Sequence, residues 1–205
     1  IPFFDVFGYL YACQVHDLSP DRKVKYWWFS SKEQTSHSPY GYWEGNKDKN
    51  VCILIEGCLK GYIVQSFFKK HFGYKPHVIA IAGVGNYKMA VMGLIELCGK
   101  LDIKPSQMLT YLAYDMDKFE KDKLNQKNII GPETKLHSTL RNEGFSPAIL
   151  VWDEKLKGLD DYLYKKKTPS VMQFIPYTKK ENNIAKDYFV ITDSIYTNTD
   201  KLQTH

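Results

Sequence analysis

Three short apolar runs in this sequence end on acids. "VCILIEG" delivers Glu56, "QMLTYLAYD" delivers Asp115 with Asp117 two residues on, and "SPAILVWD" delivers Asp153. Carboxylates brought to one place repel each other unless a cation sits among them. Residues i and i+2 of an extended chain point the same way, so Asp115 and Asp117 are placed to face one ion. A few hard oxygen donors suit Mg²⁺ (or Mn²⁺), which keeps several waters and bridges to phosphate oxygens. The chemistry this implies is metal-assisted phosphoryl transfer. A single acid after a strand is ordinarily a turn or capping residue, and a lone D-x-D is common in loops. The combination on one sheet edge is what carries the reading.

That edge requires a particular order of elements. The run 51–56 is a buried strand, followed by a helix in which Leu59, Ile63 and Phe67 recur at helical spacing up to Gly73. "HVIAIAG" is a second strand, and "NYKMAVMGLIELCGKL" is an amphipathic helix with Tyr87, Val91, Leu94, Cys98 and Leu101 on one stripe. "QMLTYLAYD" is a third strand. "KFEKDKLNQKN" and "ETKLHSTLRNEG" are helical pieces interrupted at Gly131-Pro132, and "SPAILVWD" is a fourth strand. Strands alternating with helices imply a mostly parallel four-stranded sheet flanked by helices, an α/β fold. Ligands of such sheets bind at the carboxyl ends of the strands, where all these acids fall. The second strand ends on "GVGN", which reads as a tight turn beside the site.

The sheet occupies residues 50–167. Residues 1–49 read as an N-terminal antiparallel β region, a hairpin or meander built from "FFDVFGYLYACQVHD" and "KVKYWWFSS", followed by a long polar loop through "SKEQTSHSPYGYWEGNKDKN". Residues 168–205 read as a C-terminal β extension, with "SVMQFIPY" and "DYFVITDSIY" forming a second small sheet. The Trp27-Trp28 pair is read as hairpin packing, with base stacking as its functional alternative.

Bulk properties exclude several classes. The 205 residues are 43% hydrophobic and 25% charged, an ordinary globular profile. No apolar run approaches the ~20 residues that cross a bilayer, so the chain is read as cytoplasmic with no membrane partner. It begins at Ile1, which suggests a piece of a larger protein. The net charge of +5 is mild and carried almost wholly by lysine; it is compatible with nucleic acid without demanding it. Cys13, Cys52, Cys58 and Cys98 lack metal spacing and are read as reduced, mostly buried thiols. The six histidines show no zinc pattern. There is no phosphate-binding P-loop, no dinucleotide fingerprint and no serine nucleophile elbow.

"VCILIEG" followed by "LAYDMD" resembles the Toprim domain shared by topoisomerases, bacterial primases and some nucleases, over about residues 50 to 165. The resemblance implies a compact α/β fold in which Glu56 is the signature glutamate, acting as general acid or base near the metal, and Asp115 and Asp117 bind Mg²⁺. "EGCLKG" and "VWDEKLKGLDDYL" are similar to Toprim-like domains in primase and replication proteins of plasmids, phages and integrative elements, where E-G-x-x-K and K-G-x-D-D segments recur. By that resemblance Lys60 contacts a phosphate, and Asp160 and Asp161 extend the acidic edge. The residues themselves add Gly57, which lets the chain turn into the helix without crowding the site, and Asp153, the acid that ends the fourth strand. The implied partners are DNA, an RNA primer, nucleotides and a helicase module in the same or another chain. Cellular primases usually carry an acid where Lys60 stands and a small residue with glycine after the D-x-D, where this chain has Lys118-Phe119. A lysine there supplies one cation's worth of charge and lowers the need for metal. The function implied is Mg-dependent nucleotidyl transfer on nucleic acid. The alternatives are a Toprim-type nuclease or a fold that binds nucleic acid or partners without catalysis.

Overall fold

The computed structural model describes residues 1–19, 21, 26–29, 40–116, 123–152, 155–165, 171–177 and 188–194. The first strands, β1 (Pro2–Phe4), β2 (Leu10–His16) and β3 (Tyr26–Phe29), form a three-stranded antiparallel sheet in that order, as the N-terminal pattern implies. Next comes β4 (Tyr40–Trp43), in a stretch expected to be loop. It pairs antiparallel with β6 (His77–Ile81), with Tyr40 opposite Ile81 and Trp43 opposite Val78. The turn-rich composition around "YGYW" hides this strand. What fixes it is long-range: Tyr40 and Tyr42 lie buried toward one layer of helices, and Gly41 and Trp43 face the other.

The main sheet is mixed. Its core is β4, β6, β5 (Val51–Glu56), β7 (Leu109–Ala113) and β8 (Ser146–Val151), side by side in that order. β5 pairs parallel with β6 and β7, and β7 parallel with β8. Burial on both faces explains why these strands read as continuous apolar runs. Two further strands, β9 (Val171–Tyr177) and β10 (Tyr188–Ser194), pair antiparallel with each other, and β10 lies parallel to β8. The C-terminal strands expected to make a separate sheet therefore extend the main one to seven strands. The exposed edge of β8 offered unpaired backbone groups, and pairing satisfies them.

Among the described residues four α-helices cover the sheet. α1 (Cys58–Phe72) packs with α4 (Leu159–Lys165), and α2 (Tyr87–Leu101) packs with α3 (Lys123–Asn142). α2 buries Val91, Leu94 and Cys98 as its pattern implies. α1 departs by one position: Leu59 and Ile63 are exposed, while Cys58, Gly61, Val64, Gln65 and Phe68 face inward. Two features invisible to a hydrophobic count decide this. A Cβ on Gly61 would lie 3.1 Å from Val78 and 3.3 Å from Ala80, so the helix approaches β6 through its glycine. Gln65 points in because its amide donates to the carbonyls of Glu44 and Pro76 at 2.9 and 3.0 Å.

α3 runs through Pro132 without the expected break. Proline removes one helical hydrogen bond and crowds the carbonyl four residues back. The turns beyond it bury Leu136 and Leu140, and the helix packs on α2 and β8, which outweighs that local loss.

Candidate functional site

Strand order places the site. The chain leaves β5, returns as β6 on one side, then crosses to β7 on the other. β5 and β7 thus flank a topological switch point, and the crevice outside their carboxyl ends is where such sheets bind ligands. Glu56 is the last residue of β5, opposite Ile81 of β6. Ala113, the last residue of β7, lies opposite Ile55, and Asp115 follows two residues later. An open cleft of about 460 Å³ lies there, lined by Glu56, Gly57, Lys60, Gly83, Asp115, Lys157 and Asp161.

Gly57 makes the turn from β5 into α1 with φ 88°, a conformation side-chain-bearing residues avoid. Its N–H donates to the Ile81 carbonyl at 2.8 Å, which pins the first turn of α1 to the end of β6. Lys60, in that first turn, is then aimed at β7. Its Nζ donates to both carboxylate oxygens of Asp115, at 2.6 and 2.7 Å. Asp115 is 4% exposed, so this charge-assisted pair is largely shielded from water. Lys157 brings a second ammonium, 3.8 Å from the same carboxylate. Its loop is held in place because the Met116 N–H donates to the Lys157 carbonyl at 2.8 Å.

Behind the strand end, Tyr114 is fully buried, and burial, with Glu133 and Glu56 adding to it, holds its phenol well above the usual range. Asp161 sits at the start of α4, where its carboxylate accepts from the Gly158 N–H at 3.4 Å. Asp160 keeps one buried oxygen without a hydrogen-bond partner. Burial raises its carboxyl above the usual range; Lys60 opposes that shift and Asp161 adds to it.

Glu56, Gly57, Lys60, Asp115 and Asp161 therefore share the cleft, with Asp160 near enough to feel Lys60. Asp117 and Asp153 lie outside the described residues. Sequence reasoning missed the third wall, where Gln14 and Tyr26 of the N-terminal sheet reach the cleft. The β2–β3 register sets Gln14 opposite Trp28 and His16 opposite Tyr26 on one face, a pairing that only the folded sheet shows. Trp28 of the Trp27-Trp28 pair is packed at 4.9 Å on Phe3.

The fit of a divalent ion can be judged from the donors. Among the described residues no group of three His, Cys, Asp or Glu side chains is placed to hold one. Both oxygens of Asp115 are already engaged by Lys60. These residues as arranged do not form a magnesium site; they form a carboxylate edge with a resident ammonium. Such an edge can attract a phosphate oxygen through Lys60 and Lys157 while Glu56 accepts or returns a proton. Three kinds of comparison bear on kinship: no family model, no curated protein and no solved structure matches this chain.

Proposed function

We propose that this chain is a Toprim-like domain of a mobile-element DNA replication protein, of the primase kind, acting on nucleic-acid phosphates. One observation carries the reading: Glu56 and Asp115 emerge from adjacent parallel strands at the switch point and line a single cleft with Lys60. In this reading Lys60 and Lys157 hold non-bridging phosphate oxygens, and Glu56 takes the proton from the attacking hydroxyl. Mg²⁺ bound in such a cleft would neutralise phosphate charge. The described carboxylates do not assemble a site for it, so the roles assigned here are confined to the chain's own groups.

A second reading, a nucleic-acid-binding fold without catalysis, is favoured by the engagement of both Asp115 oxygens with Lys60. End-labelled single-stranded DNA incubated with nucleotides and Mg²⁺ or Mn²⁺ separates the possibilities on a denaturing gel. Extended products support nucleotidyl transfer, and shortened ones support the nuclease that uses the same carboxylates on water. In either case Glu56→Gln is expected to lower the rate at least a hundredfold, the usual contribution of a general base being about 10²–10⁴. No product at all, with DNA bound, leaves the non-catalytic reading.

A further inference from the structure

The cleft has an aromatic wall that the strand-end chemistry does not use. Tyr26 opens β3 and lines the cleft together with Gln14 of β2. Its ring stacks on His16 with centroids 4.2 Å apart and planes 8° from parallel. His16 and Tyr26 are cross-strand partners, so the sheet register itself enforces the stack. With His16 against its ring, Tyr26 still keeps 45% of its surface exposed. Farther along the same sheet face Trp28 packs on Phe3, which is fully buried, and this anchors the platform to the body. A flat ring backed by His16 thus lines the same cleft as Lys60 and Lys157, whose ammonium groups suit a phosphate.

Aromatic rings next to a cationic track are what a single strand needs, since every base has a face to stack and every linkage a charge to hold. A duplex hides its base faces. The cleft volume of about 460 Å³ falls in the range of sites for small ligands, which is enough for one nucleotide unit. We infer that Tyr26, backed by His16, is a stacking platform for an unpaired base whose phosphate lies at Lys60 and Lys157. The bound form is therefore a single-stranded segment or strand end rather than duplex. This deepens the proposed function and rests on it for the phosphate half.

Fluorescence anisotropy with two labelled probes tests it: oligo(dT) of about twelve nucleotides, within the usual span of such sites, and a strand of the same length built from abasic residues. The wild type is expected to bind oligo(dT) about tenfold more tightly than the abasic strand, the lower part of the range for one stacked base. Tyr26→Ala should bring oligo(dT) down to the abasic affinity and leave abasic binding unchanged. Tyr26→Phe, which keeps the ring, should restore the difference. The inference is overturned if Tyr26→Ala leaves oligo(dT) binding intact, or weakens both probes equally, the mark of a merely structural residue. If both probes bind the wild type equally, the platform fails and the phosphate site stands. If neither binds, both fail.

Discussion

At the residue scale the molecule turns on one ion pair. Asp115 is nearly inaccessible, and Lys60 satisfies both its oxygens from the first turn of α1. Removing one partner of a shielded pair costs more than the pair contributes, because a charge is left without compensation. Lys60→Met is therefore expected to destabilise the fold by about 2–3 kcal/mol, less than the 3–5 of a fully buried pair because Lys60 remains partly exposed. Adding Asp115→Asn should recover part of the loss. A double-mutant cycle by denaturant unfolding reads both, and additive effects would mean that the pair is not coupled. Asp160 tests the charge balance nearby. Its carboxyl is raised by burial, so the folded state binds its proton more tightly than the unfolded chain does. Stability must then fall as pH rises from the ordinary aspartate range through the raised value. Asp160→Asn removes that loss: the variant should be more stable than wild type near pH 7 and indistinguishable below about pH 3, where both states are protonated. Melting curves across that interval give the sign directly.

At the element scale, close approach decides which face of each helix turns inward. α2 meets β4 through Gly93, where a Cβ would come within 2.9 Å of the Tyr40 ring. Gly93→Ala should cost about 1–3 kcal/mol despite alanine's better helix propensity, because the ring cannot retreat from the core. A chemical-denaturation midpoint that rises instead would show that β4 is free to move. The same physics explains what was legible in the sequence. β5, β6, β7 and β8 were legible because burial on both faces writes itself as an unbroken apolar run. The stripe of α2 was legible because apolar side chains make its contacts. The inward face of α1 was not, since Gly61 and Gln65 make contacts that a hydrophobic count scores as polar or blank. β4 and the joining of β10 to β8 were illegible for another reason: both are pairings between segments far apart in the chain, and nothing local announces them.

At the scale of the whole molecule, the approach of Glu56 and Asp115 to one cleft was readable from strand ends, whereas Lys60 of α1 entered only through the family resemblance. The N-terminal sheet as the cleft's third wall was not readable, because the position of one sheet against another is settled by packing rather than by pattern. The cleft mixes signs: Lys60 and Lys157 stand among Glu56, Asp115 and Asp161. The whole chain is positive at +5. On the proposed reading, general attraction to nucleic acid would come from the full surface, and only a local measurement separates the cleft from that background. The dependence of single-stranded DNA affinity on salt provides it, since each phosphate contact on a single strand contributes about 0.7 to the slope of log affinity against log salt. Lys157→Ala and Lys60→Ala, compared with wild type and with the surface variant Lys47→Ala, should each weaken binding and flatten that slope by about 0.7, while Lys47→Ala leaves both unchanged. Parallel slopes for all four proteins would contradict the account, because the phosphate would then be held elsewhere.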